Sequence, residues 1–259
     1  MQAIRPIREP MNFWPLIAIP VGGVALAFAA GFAAQRALRW ARDDHSNRRA
    51  LWNRFYSIDW GDTTTNNYGF APPGADHPQR FQHQMYLQLL QRLREASGVK
   101  RGLKLLEVSC GRGGGLNALL SEAPEIEATG LDVAHSAVNF CRRTYGESDR
   151  LRFVQGSALH LPFDDASFDV VLNVEASNDY GDRQGFFREA ARVLKPNGIL
   201  LYADTVKQGR REAIERDLAA AGFNADLRDI TGNVAEACRL DSPRRRAVIR
   251  KHAPLPARL

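Results

Sequence analysis

Cysteine is scarce in this chain, lysine is scarcer than arginine, and no repeat runs through it. Of 259 residues, three are cysteines: Cys110, Cys141 and Cys238. They are too few and too scattered for a disulfide framework or a zinc site, and a reduced compartment fits them best. No metal-ligand cluster stands in the sequence, so no metal is expected. There is no collagen-like period, no low-complexity tract and no solenoid spacing, which excludes fibrous and repeat architectures. Hydrophobic residues make up 44% and charged residues 25%, which excludes wholesale disorder and a multi-span membrane protein. Five of the 35 basic residues are lysine, and the formal net charge is +6. An excess of that size suits an anionic membrane surface or a nucleic acid and is specific to neither.

Charge is also missing from one long stretch. Residues 13–34, FWPLIAIPVGGVALAFAAGFAA, hold no charged side chain. As a helix they would span roughly 33 Å, enough for a hydrocarbon core of about 30 Å. Trp14 and Trp40 bracket the run, as interfacial aromatics do. A cleaved signal peptide would use a shorter apolar core of about 7–15 residues, although Ala27-Phe28-Ala29 mimics a cleavage site. Two arginines precede the run, Arg5 and Arg8, and five follow it closely: Arg36, Arg39, Arg42, Arg48 and Arg49. The positive-inside rule then leaves the remainder in the cytoplasm. The expected organisation is a single-pass membrane anchor over 1–35, a charged juxtamembrane helix over 36–56 and one further domain over 57–259.

Beyond a polar loop at 57–78 and a helix opening at Pro78, strand-like and helix-like segments alternate. Strands are expected at 104–109, 127–133, 151–156, 168–176 and 198–205, with a sixth at 224–231. Helices are expected at 113–122, 134–145, 183–194 and 209–221. Alternation at this spacing implies a parallel sheet covered on both faces.

The strongest chemical signal is LLEVSCGRGGG at 105–115. A buried-type strand runs into a glycine turn and then a helix. Glycine is needed where backbone must turn tightly or approach a ligand with no side chain between. Asp132 ends the next strand, where a carboxylate takes both hydroxyls of a ribose. This is the logic of a nucleoside site at the carboxyl ends of Rossmann-type strands. A dinucleotide site wants G-x-G-x-x-G, but Leu116 stands at the last glycine position counted from Gly111. Glu107 just before the turn repels a pyrophosphate and attracts a cation. S-adenosylmethionine carries a sulfonium and an ammonium and no phosphate, so it is favoured over a nicotinamide dinucleotide.

With FVQGSALHLPFDDASFDVVLNVEAS and FFREAARVLKPNGILLYAD, the glycine segment resembles class I S-adenosylmethionine-dependent methyltransferases. Within that class it is most similar to the phthiotriolone and phenolphthiotriolone dimycocerosate methyltransferases and related O-methyltransferases. The resemblance covers residues 52–259 and is tight over 104–205. It implies a Rossmann-like α/β sheet with helices on both faces. It implies S-adenosylmethionine as cofactor, with Glu107, Ser109, Gly111 and Gly113 around the methionine part and Asp132 on the ribose. Val133, Ser157, Ala158 and Leu159 would lie by the adenine, Ser157 in place of an acid common there. Asn173 to Glu175 would face cofactor and acceptor, and the stretch from Asn66 to Phe70 would cover the cofactor.

Two departures stand out. Related enzymes read Glu-Ala-Ser-His after the fourth strand, and this chain reads Glu175-Ala176-Ser177-Asn178. An amide does not titrate, so a base would have to come from Glu175, Asp179 or His160, or none is used. The family's final antiparallel strand also has no counterpart before the sequence stops at PLPARL, so an open sheet edge is expected. The expected activity is O-methylation of a hydrophobic or lipid-like small molecule at a membrane. The alternative is a non-catalytic scaffold that binds S-adenosylmethionine. A nucleic-acid substrate is not expected, because Asn173-Val174-Glu175-Ala176 lacks the Asn/Asp-Pro-Pro-aromatic motif of base-flipping enzymes.

Overall fold

The computed structural model describes residues 45–253 apart from Gln208, and for 45–47 the backbone only. The described residues belong to one compact unit. Within it lie α1 (His45–Ser57), α2 (Arg80–Ala96), β1 (Leu103–Val108), α3 (Gly114–Glu122), β2 (Ile126–Asp132), α4 (His135–Tyr145), β3 (Leu151–Gln155), β4 (Phe168–Val174), α5 (Arg183–Val193), β5 (Leu194–Ala203), α6 (Arg211–Ala220) and α7 (Thr231–His252). The strands form one sheet in the order β3-β2-β1-β4-β5, and every pairing is parallel.

Near-continuous apolar strands are what a parallel sheet covered on both faces requires. In β1, Leu105 points into one core with Leu172 of β4, Leu90 and Leu93 of α2, Leu116 of α3 and Cys141 of α4. Its neighbours Leu106 and Val108 point into the other, with Val171 of β4, Phe186 and Phe187 of α5 and Leu218 of α6. The period-two alternation of β1 and β4 thus divides the interior between two helix layers. Pro196 and Asn197, which precede the fifth strand expected at 198–205, lie inside β5. Leu194 pairs with Phe168, the register slips, and Ile199 then pairs with Val170; Asn197 takes φ +63° there.

The five expected parallel strands are present, with ends shifted by a few residues. The sixth is not: 224–230 is irregular and Thr231 begins α7. NADLRDIT places Asp226, Arg228 and Asp229 where an inward-facing strand needs apolar side chains, and polar groups without partners are not buried. Among the described residues no antiparallel strand follows β5 in the sheet.

α1 overlaps the segment 36–56 expected to be helical and ends one residue beyond it. It packs on α4: the Ser136 N–H donates to Asn53 Oδ1 at 3.1 Å and the Ser136 hydroxyl to the Asn53 carbonyl at 2.9 Å. The apolar run 13–34 lies outside the described residues. Among the described residues no helix is long and apolar enough to cross a membrane.

Candidate active site

At the carboxyl edge of the sheet, three of five consecutive residues turn into the left-handed region: Ser109 at φ +65°, Gly111 at +55° and Gly113 at +72°. The glycines adopt it without penalty; Ser109 does not. The Ser109 hydroxyl is paired with the Tyr180 hydroxyl at 2.8 Å. Asn173 Nδ2 donates to the same Tyr180 oxygen at 2.6 Å and to the Val108 carbonyl at 2.9 Å, locking the ends of β1 and β4 together. Gly115 begins the helix face toward Tyr86, and a Cβ there would collide with that ring.

Asp132 closes β2 with one carboxylate oxygen on the Gly111 N–H at 2.9 Å and the other on the Ala134 N–H at 2.8 Å. Burial pushes its pKa up to about 6, against the pull of those backbone donors. Each oxygen keeps a lone pair for a further donor. Glu107 is 1% exposed. It accepts the Tyr86 hydroxyl at 2.7 Å through Oε1, and Oε2 has no partner. Burial, with the Asp132 charge nearby, pushes Glu107 up to about 8, although the Tyr86 bond favours its ionised form. Asn173 Oδ1 is likewise buried and unpartnered. Such orphans are costly unless a donor or a cation answers them.

The cleft over this edge encloses about 970 Å³ out to its open mouth. Among the expected site residues, Ser109, Asp132, Val133, Ser157, Ala158, Glu175 and Asp179 line it, as does Leu159. Glu107, Gly111 and Asn173 stand behind the lining, joined to it through Tyr86, Asp132 and Tyr180, and Gly113 through its N–H on the Cys110 carbonyl at 2.9 Å. Asn66 and Asn67, in the covering segment, also line it. His160 is exposed and away from the lining.

The lining residues that sequence reasoning missed come chiefly from α1, whose Arg48, Arg49, Trp52 and Tyr56 wall one side. Trp52 stacks on Tyr56 with ring centroids 5.7 Å apart. Their i, i+4 spacing was a usable signal. Arg48 Nη1 donates to the Asp179 carbonyl at 2.8 Å. Tyr86 and Tyr180 were missed because a tyrosine on an amphipathic segment reads as core.

Glu175 follows β4 at φ +50°, strained for a residue with a Cβ. Its Oε2 accepts the Tyr68 N–H at 2.8 Å. Burial pushes it up to about 7; the Tyr68 N–H and Arg245 lower it and Asp204 raises it. Asn178, at the family's histidine position, is turned away: its Nδ2 donates to Asp204 Oδ1 at 2.7 Å and to the Thr205 carbonyl at 2.7 Å.

These groups suit a cationic nucleoside. Asp132 has acceptors for hydroxyls, Val133, Ala158 and Leu159 offer apolar contact for a base, and buried acceptors at Glu107 and Asn173 lack donors. Comparison with known proteins agrees. Residues 106–202 match a family model described as a methyltransferase domain. Over that segment the chain is similar to methyltransferase domains. The chain is 40% identical over 154 residues to the phthiotriol/phenolphthiotriol dimycocerosates methyltransferase of Mycobacterium tuberculosis (strain ATCC 25618 / H37Rv), covering 59% of this chain and 57% of that one. It is 39% identical over 163 residues to the fatty-acid O-methyltransferase of Mycolicibacterium smegmatis, covering 60% and 57%. The chain therefore spans less than two thirds of the length of these relatives. In fold it is similar to the [4+2]-cyclase SpnF, with a TM-score of 0.59 and 21% identity over 79% of this chain and 83% of that one. At that identity the likeness concerns the fold alone.

Proposed function

We propose that this chain is an S-adenosylmethionine-dependent methyltransferase that methylates an oxygen of a hydrophobic, lipid-like small molecule. The observation that carries the reading is the cleft itself, which Asp132 and Glu175 both line above the left-handed glycine turn. The names of the relatives, a phthiotriol methyltransferase and a fatty-acid O-methyltransferase, support a lipid-like acceptor.

S-adenosylmethionine supplies an electrophilic methyl group on its sulfonium. The chain's own residues supply the remainder. Asp132 orients the nucleoside by accepting hydroxyl protons, and Glu107 answers positive charge with its free oxygen. Trp52 and Tyr56 keep water from one wall. Holding two reactants in line lowers a barrier by about 7–11 kcal/mol before any proton moves. Glu175, poised at about 7, takes the proton of a hydroxyl acceptor at its carboxylate, since a base is most effective with a pKa near the working pH.

The reading includes a membrane setting, from residues 13–34 and the arginines after them. An anchor there would concentrate a bilayer-borne acceptor beside a cytoplasmic domain. The test is transfer of labelled methyl from S-adenosylmethionine into the organism's lipid extract, resolved by mass spectrometry. A labelled lipid ester or ether is expected. Cofactor binding without transfer to any lipid fraction would replace this reading with that of a non-catalytic binder. Asn178 tied to Asp204 in place of a titrating histidine favours that second reading.

A further inference from the structure

Glu175 is the last link of a chain of polar contacts that begins at Asp241 on α7. Asp241 on α7 is 4% exposed. It is saturated by four donors: Gln82 Nε2 at 2.9 Å, Arg244 Nε and Nη2 at 2.7 Å each, and Arg245 Nε at 2.9 Å. The Arg245 guanidinium thus has one edge fixed. Its Nη2 donates to the Tyr68 carbonyl at 2.7 Å and to the Asn67 carbonyl at 3.1 Å. Its carbon lies 5.8 Å from the centre of the Tyr68 ring. The N–H of that same Tyr68 holds Glu175 at 2.8 Å.

We propose that Arg245, held in place by Asp241, is a positioning residue for Glu175, acting through the loop that carries Asn67 and Tyr68. This rests on the reading of Glu175 as the group that takes the acceptor proton. A guanidinium pinned on a buried carboxylate loses little further freedom when it grips two carbonyls. Gripping both fixes the peptide plane of Tyr68 and so the direction of its N–H. Glu175 itself sits on a left-handed backbone, so its carboxylate is placed from both ends. The positive charge also acts on Glu175 directly.

The groups facing Glu175 from each packed element are few. The Tyr68 N–H comes from the loop before α2, and Tyr86 from α2 itself. Asp204 comes from the end of β5, and Arg245 and Cys238 from α7. The Cys238 thiol donates to the Tyr68 carbonyl at 3.9 Å, a weak second grip. Arg245 is the one cation in this set, so its removal leaves Glu175 facing Asp204 with no positive charge to offset it.

The test uses the full chain with Arg245→Gln and Arg245→Lys. Arg244 and Gln82 still bind Asp241 in both, so α7 keeps its anchor. The first readout needs no turnover: the carboxyl carbon of Glu175 is titrated by NMR in 13C-glutamate-labelled protein, its signal identified by its loss in Glu175→Gln. In Arg245→Gln the titration midpoint is expected to rise by about one pH unit, and in Arg245→Lys to stay within a few tenths. The second readout is the pH–rate profile. The acid limb of kcat should move up with the midpoint in Arg245→Gln and return in Arg245→Lys, with the Kd for S-adenosylmethionine within about twofold of the parent. An unmoved midpoint in Arg245→Gln overturns the proposal, as does a loss of rate that is equal at every pH. A Glu175→Gln variant with parental rate and profile refutes the base reading on which the proposal rests, and it does so without reference to Arg245.

Discussion

Glu107 should make cofactor affinity depend on pH. The perturbation is pH itself, with Glu107→Gln as the control. In the ligand-free chain its carboxyl titrates at about 8, so about one molecule in eleven is ionised at pH 7 and about half at pH 8. Binding of a cation near Oε2 needs the ionised form, so apparent affinity scales with that fraction. The ligand's α-ammonium loses its proton near pH 7.7–8.0, which opposes the gain above pH 8. Multiplying the two fractions gives a rise of about 20-fold from pH 6 to pH 8 and a decline by pH 9. Asp132, at about 6, adds about a further twofold over the lower part of that range. Isothermal titration calorimetry at constant ionic strength, in two buffers of different ionisation enthalpy, reads both affinity and released protons. Release of nearly one proton per ligand at pH 7 is expected from the parent, and almost none from Glu107→Gln. A parent whose affinity is flat between pH 6 and pH 8, or a Glu107→Gln variant with the parent's slope, would refute the reasoning. The same group has a stability signature. Its folded pKa lies above the usual 4.5, so the ligand-free chain is expected to be most stable below pH 4.5 as far as Glu107 is concerned, and to lose that contribution as pH rises through 8. Melting curves of parent and Glu107→Gln should diverge over that window, the variant being the more stable at pH 8.

Asp132→Ala removes an acceptor for nucleoside hydroxyls, each charge-assisted bond being worth about 1.5–3 kcal/mol; S-adenosylmethionine should bind at least about tenfold more weakly, and unchanged affinity by calorimetry would reject the ribose role. Gly115→Ala drives a methyl group into the Tyr86 ring, and overpacking of this kind costs about 1–3 kcal/mol; a denaturant midpoint equal to the parent's would show that α3 and α2 can part freely. Ser109→Gly removes a Cβ from a left-handed residue at φ +65° but also the hydroxyl bond to Tyr180, so a net change in stability within about 1 kcal/mol is expected. Glu175→Gln should lower kcat at pH 8 by at least about tenfold while leaving cofactor binding intact, the usual contribution of a base being about 10²–10⁴.

The parts of the fold legible in the sequence were those whose signals are local. KLLEVS, EATGLDV and FDVVLNVEA are apolar runs ended by glycine or acid, and each is a strand. Asp132 and the glycine turn were legible because the backbone conformation and the carboxylate they require are tied to particular residue types. NADLRDIT misled because its aliphatics alternate with charges as on a half-buried strand, yet no partner strand receives it. α7 was poorly marked: Pro243 lies inside it, and nothing in the spacing of its arginines points to an anchor on a buried Asp241. The link from Asp241 to Glu175 was invisible. Its two steps through Tyr68, from Arg245 and on to Glu175, each span more than 100 residues and use backbone atoms, Tyr68 O and Tyr68 N, which any residue type would supply. α1 was recognised as a helix, but its aromatic face toward the cleft was not, because nearby arginines pointed to a membrane surface.

The grip of α7 on the Asn67–Tyr68 loop also sets an order of events during synthesis. The buried side chains of the two cores end with Leu218 of α6, whereas the clasp on Tyr68 needs Asp241 and Arg245, which the ribosome delivers about two dozen residues later. At a synthesis rate of about 5–20 residues per second, the nascent chain spends roughly a second or more with its interior available for collapse and its covering loop not yet clasped. Contacts of such sequence separation are the last to be rewarded in folding. A chain released after α6 would therefore be expected to keep both cores and the Asp132 end of the cleft, while Tyr68 hangs free and Glu175 has lost its guide.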